Sequence, residues 1–366
     1  MKTRFYVIKL AAILALIALG GAARAHAQKY TLVAIPNPPG LSGTCNPYAV
    51  NDRGQAVGSF VGFNGLDLPF LYDPLAGTRI LPGFTTVPGS KALSINHAGL
   101  VVGIVEGSTN NFGFVWDSVN GTRRIDQIGD ANGVTAASLG WNIDSAWKIN
   151  TQGDILVSDF STGIRIGIWR MTTAGGVSTL NILPVPYDGL NTGILGFSTD
   201  LNDNGIVLTY QPTTLTDRQP ALWDSNSGAF TDISPAFGLG VGLNNNGDAV
   251  GGVGDGYYSG TAWLYSGSAT LTNLGSLGGG AFPSGINDLN QIVGSSRVSL
   301  VGSAKAFLWQ NGVMQDLNIV INPGRKWVLS SANAISNPAN TKHTAGYIAG
   351  TGTYTGLNVG WIATPK

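Results

Sequence analysis

Glutamate is all but missing from this chain. Glu106 is the only one in 366 residues, and charged residues of both signs make up 11%. Coiled coils and long helical bundles draw on Ala, Glu, Lys and Leu, so both are excluded. Low charge with 9% aromatics is also the reverse of a disordered composition. Cysteine occurs once, as Cys45, which excludes a disulfide framework and a Cys-based zinc site. Long hydrophobic runs are absent except for Leu10 to Leu19, ten residues where a membrane span needs about 20. Glycine stands at the other extreme: 53 residues, about double the usual 7%. What remains is a Gly-, Thr-, Ser- and Asn-rich all-β protein.

Residues 1–27 read as a secretory signal. Lys2, Arg4 and Lys9 precede the apolar run, and Ala25-His26-Ala27 supplies a small-x-small cleavage site. Removing this segment takes four basic residues with it and leaves 16 Lys and Arg against 20 acidic residues, a net charge of −4. The longest basic cluster is Arg123-Arg124, so the basic patch that nucleic acid or anionic lipid requires is lacking. The mature chain is expected outside the cytoplasm, periplasmic or extracellular, with no membrane attachment.

An internal repeat organises residues 28–366 into one domain. An aliphatic residue, an Asn, two mostly polar residues and a Gly recur as Val50-Asn51-Asp52-Arg53-Gly54, Ile95-Asn96-His97-Ala98-Gly99 and Ile149-Asn150-Thr151-Gln152-Gly153. Leu201 to Gly205, Leu243 to Gly247 and Ile286 to Asn290 continue the series, and a degenerate seventh copy begins at Ile335-Ser336. The steps are 45, 54, 52, 42, 43 and 49 residues. Gly, or Asn290 in the sixth copy, supplies the positive φ of a tight turn, and the preceding Asn, Asp and Thr favour such turns. About 20 residues on, each copy has an apolar strand with an aromatic: Tyr72, Trp116, Trp169, Trp223, Tyr265 and Trp309, with Trp361 in the seventh. Four strands per 42 to 54 residues is the signature of a propeller blade. The seventh copy is one strand short, and Tyr30 to Ile35 is a strand with no blade of its own. The expected fold is therefore a seven-bladed, four-stranded β-propeller in which the N-terminal strand completes the last blade.

Few residues point to chemistry. Asp200 to Gly205 matches the front of a calcium loop, but the twelfth position is Gln211 where a bidentate Glu is needed; a hairpin turn explains it, and no metal or cofactor is expected. His97 falls at a turn position and His343 in a polar insertion, neither in triad or metal spacing. The periodic aromatics lie in apolar strands and are expected to pack between blades. Cys45 is read as an unpaired thiol in a Gly/Pro-rich loop. The irregular loops 129–146, 183–198 and 253–261 carry Trp141, Tyr187, Tyr257 and Tyr258, which are the candidate ligand-binding residues because loop aromatics often carry recognition.

The unit Leu274-Gly275-Ser276-Leu277-Gly278-Gly279-Gly280, then Gly285-Ile286-Asn287-Asp288-Leu289-Asn290-Gln291-Ile292-Val293-Gly294-Ser295, then Ala306-Phe307-Leu308-Trp309 to Asp316-Leu317, resembles the HAF-repeat family of exported bacterial proteins. The family's usual His before Ala-Phe is Lys305 here. The resemblance implies an extracellular repeat protein and transfers no catalytic residues. Members often end in a sorting tail, and ending at Thr364-Pro365-Lys366 is expected to favour release. The functional expectation is a non-enzymatic, monomeric binding or scaffold module for a glycan, matrix component or protein. The alternative is a polysaccharide hydrolase or lyase using Asp residues at the channel mouth, for which two facing carboxyls are required.

Overall fold

The computed structural model describes residues 30–62, 65, 67–83, 89–107, 111–161, 163, 165–185, 199–212, 218–233, 238–253, 260–267, 270–340 and 344–366; residues 1–27, where a secretory signal is expected, lie outside them. Seven four-stranded antiparallel sheets are arranged in chain order. After β1 (Tyr30–Ala34), blade 1 holds β2 (Gly43–Val50), β3 (Ala56–Gly62), β4 (Asp67–Asp73) and β5 (Gly77–Ile80). Blade 2 holds β6 (Lys91–Ile95), β7 (Val101–Val105), β8 (Phe112–Asp117) and β9 (Gly121–Arg124). Blade 3 is β10 (Ser145–Ile149), β11 (Ile155–Asp159), β12 (Arg165–Ala174) and β13 (Val177–Pro184). Blade 4 is β14 (Asp200–Leu201), β15 (Ile206–Pro212), β16 (Arg218–Asp224) and β17 (Phe230–Asp232). Blade 5 follows with β18 (Leu239–Leu243), β19 (Ala249–Val253), β20 (Thr261–Tyr265) and β21 (Thr272–Asn273), and blade 6 with β22 (Ala281–Ile286), β23 (Ile292–Arg297), β24 (Ala304–Gln310) and β25 (Val313–Asp316). Blade 7 has β26 (Trp327–Ile335), β27 (Ile348–Tyr354) and β28 (Leu357–Pro365).

The fourth strand of blade 7 is β1, paired antiparallel to β28 from Tyr30↔Pro365 to Ala34↔Trp361. Both ends of the chain thus share one sheet, which closes the ring and removes the open edge of an unfinished array. The expected seven blades and their mode of closure are what the structure shows.

The first strand of each blade lies innermost. Six of these strands carry a bulge at one place, three residues before the repeated Asn (or Ser336): Tyr48, Leu93, Trp147, Val241, Ser284 and Asn333 each sit between shifted registers. Bulges bend and twist a strand locally, here turning each inner strand toward the shared hairpin face. They also admit proline, and Pro47 and Pro283 stand just before the bulge in β2 and β22. Cys45 accordingly lies inside β2, not in a loop. It is 1% exposed, and burial pushes its thiol up to about 12.

Among the described residues the core is divided into seven clusters, one for each blade-to-blade interface. Trp116 packs with Val57 and Leu71 of blade 1, Trp223 with Leu156 and Ile168 of blade 3, and Trp309 with Val250 and Leu264 of blade 5. The periodic aromatics therefore fill the space between neighbours, as their apolar strands implied. Each buried ring stabilises its interface by roughly 1.5–3 kcal/mol. A second aromatic series lies over glycine. Trp263 faces Gly251 and Trp361 faces Gly350 across the sheet, and a Cβ on either glycine would come within 2.2 or 2.4 Å of the indole.

The hairpin glycines differ in what surrounds them. Gly54 has φ +75° and an added Cβ would meet the Tyr347 ring at 2.7 Å, whereas Gly247, at φ +83°, has nothing within 4 Å. Gly247→Ala should lower stability by about 1–2 kcal/mol, the left-handed cost alone. Gly54→Ala should lose about 1–3 kcal/mol more, because Tyr347 closes the blade 7–blade 1 contact and must move. Urea denaturation of the two variants checks this, and equal losses would show that Tyr347 yields freely.

Candidate functional site

The repeated Asn does more than turn the chain. Its side-chain Nδ2 donates to the main-chain carbonyl of the corresponding residue in the next blade, from Asn51 to Asn96, Asn96 to Asn150, Asn150 to Asn202, Asn202 to Asn244, Asn244 to Asn287 and Asn287 to Ser336, at 2.9 to 3.2 Å. Its Oδ1 accepts the main-chain N–H four residues on, as from Gln55, Leu100, Asp154, Ile206, Asp248 and Gln291. One buried amide thus fixes its own hairpin and holds the adjacent blade. In the seventh copy Ser336 Oγ accepts from Tyr347 N–H and donates to Asn337 O, which closes the turn locally. The blade 7–blade 1 junction relies instead on Asn333 Nδ2 donating to Pro47 O at 2.9 Å, and on β1.

A second ring lies one residue further along. Thr151, Asp203, Asn245 and Asp288 donate their N–H groups to the side-chain oxygens of Asp203, Asn245, Asp288 and Asn337. His97 Nδ1 lies 2.8 Å from Asp52, so the expected solvated turn histidine is exposed but partnered. These rings enclose an axial cavity of about 180 Å³ on the hairpin face. Lys148 enters it and pairs with the buried Asp200 at 2.8 Å, while Asp200 also accepts from Leu243 N–H. The front of the calcium-like segment is therefore committed to a lysine. Among the described residues no group of three or more His, Cys, Asp or Glu is placed to hold a metal ion.

Two features stand out on the opposite face. Between blades 1 and 2, Tyr48 Oη lies 2.9 Å from the buried Ser59 Oγ, which also bonds Asp67, while Lys91 pairs with Glu106 at 2.8 Å. Burial raises the Asp67 carboxyl above its ordinary value, more than its bond to Ser59 and the charge of Lys91 lower it, and Glu106 adds to the rise. Its Oδ1 is buried with no hydrogen-bond partner among the described residues. At the junction of blades 7 and 1, a groove of about 490 Å³ is lined by Thr44, Asn46, Ser330, Thr351, Thr353 and Asn358, with Val61 and Val359.

Of the aromatics singled out by sequence, Trp141 is 8% exposed and belongs to the blade 2–blade 3 core. Its place is explained by Gly167, which stands where blades 1, 2, 5, 6 and 7 carry Phe or Trp. A Cβ there would be 3.0 Å from Trp141 Cη2, so the loop supplies the ring that the strand lacks. Arg165 covers the other side at 4.6 Å from the ring centroid and pairs with the fully buried Asp159. Burial would raise Asp159, but bonds from Ser161, the Asn142 N–H and Arg165 outweigh it and hold the carboxyl below its ordinary value. Trp141 is thus packed where an exposed loop aromatic was expected. Tyr187, Tyr257, Tyr258 and His343 lie outside the described residues.

The arrangement defines a closed seven-bladed β-propeller. No family profile matches the chain, and neither does any curated protein. Among solved structures it is similar to the β-propeller domain of the Trilobed protease from Pyrococcus furiosus, a domain with an open velcro topology, at 10% identity over 88% of this chain and 95% of that one, with a TM-score of 0.56. It is also similar to virginiamycin B lyase from Staphylococcus aureus, at 13% identity over 91% and 98% with a TM-score of 0.51. A looser match to TolB from Acinetobacter baumannii has 14% identity and a TM-score of 0.42 over 66% of this chain; the chain spans about half the length of that protein, 53%. At these identities the likeness is one of fold. Among the described residues no helix is long and apolar enough to cross a membrane.

Asn202→Ala deletes the bond to Asn244 O and two acceptor bonds from Asn204 and Ile206 N–H, so it should cost roughly 2–5 kcal/mol of unfolding free energy. Asn202→Asp keeps the acceptors, loses the donor to the next blade and sets a second acceptor oxygen against Asn244 O. A loss under about 0.5 kcal/mol, against the roughly 1 kcal/mol typical of one bond, would remove the inter-blade role. At Asp67 the folded group binds its proton more tightly than the unfolded one. Its penalty is therefore absent below the ordinary carboxylate range, grows as pH rises toward the raised value and is full above it. Asp67→Asn should melt higher than wild type at pH 7, and the difference should vanish by about pH 3, below the ordinary Asp value. Parallel melting curves at the two pH values decide it.

Proposed function

We propose that the mature chain is an exported, non-enzymatic binding or scaffold propeller for a glycan, matrix component or protein, acting as a monomer without a cofactor. The observation that carries this reading is how the polar groups are divided. Around the axis of the hairpin face, amides and carboxylates bond one another across blades, from Thr151 through Asp203, Asn245 and Asp288 to Asn337. These groups serve the ring and leave recognition to the outer surfaces. The signal-like residues 1–27 and the resemblance to HAF-repeat proteins support export, and the net negative mature chain argues against nucleic acid.

One observation favours the second reading, a polysaccharide hydrolase or lyase. Asp67, raised by burial, and Glu106, held by Lys91, are carboxyls in different surroundings that influence each other, and such divergence is how acid and base roles are separated. One experiment addresses both. Residues 28–366 are screened on arrays of glycans and extracellular proteins, and each glycan bound is then tested for new reducing ends or unsaturated products. Saturable binding without cleavage is expected. Cleavage abolished by Asp67→Asn would transfer the assignment to the second reading, and failure to bind on every array would remove the first.

A further inference from the structure

We propose that the groove where blade 7 meets blade 1 is a binding site for a neutral oligosaccharide, formed only when the ring closes. This rests on the reading of the chain as a binding module. The groove takes Thr44 and Asn46 from β2, Ser330 from β26, Thr351 and Thr353 from β27 and Asn358 from β28. Its volume of about 490 Å³ lies within the roughly 300–1,000 Å³ of small-molecule sites. No charged side chain lines it among the described residues, in contrast to the axial cavity, where Asp52, His97, Lys148, Asp203 and Asp288 all appear.

Hydrogen bonding sharpens the contrast. The asparagines of the axial ring have both amide atoms engaged. In the groove, the amides of Asn46 and Asn358 and the hydroxyls of Ser330, Thr351 and Thr353 have no hydrogen-bond partner among the described residues, and Thr44 Oγ1 makes a single long contact of 3.5 Å to Asn358 O. Amide and hydroxyl groups both donate and accept, as do the hydroxyls of a sugar. An anionic glycan or a phosphate would find no cation here. A peptide would need apolar anchors or an open strand edge, and the groove offers only Val61 and Val359. Thr44 and Asn46 approach blade 7 because β1 holds β28 in the ring, so recognition depends on the closure that brings the two ends of the chain together.

The test titrates residues 28–366 with cellohexaose and maltohexaose as neutral probes, a chondroitin sulfate hexasaccharide as an acidic one, and a mixed peptide library, using calorimetry and amide chemical shifts. A neutral hexasaccharide should bind with a Kd between about 10 μM and 1 mM. The perturbed amides should centre on Asn46, Thr351 and Thr353. Thr351→Val and Asn46→Ala should each weaken binding about tenfold, one hydrogen bond's worth, with unchanged melting temperature. The wild-type shift map keeps the test decisive even if a variant folds poorly. Shifts centred elsewhere, affinity indifferent to both substitutions, or binding of only the acidic or peptide probes would overturn the groove while leaving a binding module standing. No binding by any probe would also overturn it, and the broader reading would then be decided by the arrays alone.

Discussion

The fold depends on one amide. In each of six blades an asparagine must close a tight hairpin and bond to the next blade, and few side chains can do both. Aspartate could accept the hairpin N–H but has no proton for the neighbouring carbonyl. Serine can accept too, and Ser336 does, but it is too short to span the gap between blades. Glutamine adds a methylene and would displace the acceptor from the turn. From Asn96 onward the carbonyl of each asparagine also accepts twice, from its own turn, as from Gly99 N–H to Asn96 O, and from the preceding blade's amide, as from Asn51 Nδ2. Because every atom of the group is buried and used, a substitution would leave orphaned polar atoms on two blades at once.

The aliphatic residue before each asparagine, the bulge two positions earlier in five of the six blades, and the left-handed residue three positions later, Gly or Asn290, are the local conditions of this bond. The bulge turns the inner strand, the aliphatic side chain faces the axis, and the left-handed residue brings the chain back. Between blades the same economy governs packing. Glycine admits a ring from the opposite strand in blades 5 and 7, and where blade 3 reverses the arrangement, with Val157 opposite Gly167, Trp141 comes from a loop to restore the volume. Its strand partners are exchanged, but the interface remains filled.

How much of this could be read in the sequence follows from distance along the chain. The hairpin, the blade period and the closing strand are properties of one repeat or of the two ends, so Asn51 to Gly54 and Tyr30 to Ile35 were sufficient to place them. The bond from Asn51 to Asn96 spans a whole repeat, and turn chemistry alone explained the asparagine well enough to hide it. Cys45 was misplaced because Gly and Pro around it signalled a loop, whereas Pro47 is tolerated beside a bulge. Trp141 carried a usable signal: Gly167 stands where most other copies have an aromatic, a vacancy that some distant ring had to fill. The groove had none, since Thr, Ser and Asn are the commonest polar side chains throughout the chain and these ones meet only after closure.

That last point locates where such a ring can carry function. Six junctions are held by the same amide, and at those positions the side chain is constrained by both neighbours. The seventh junction is released from that constraint by Ser336 and secured by other means: β1, Asn333 and the Tyr347 ring over Gly54. Polar residues there need not satisfy one another, because the strand pairing already supplies the closure. Asn46, Thr351 and Thr353 can therefore remain unpaired toward solvent without weakening the ring. A propeller that ties its blades with side chains has the greatest freedom for recognition at the junction that it ties with backbone.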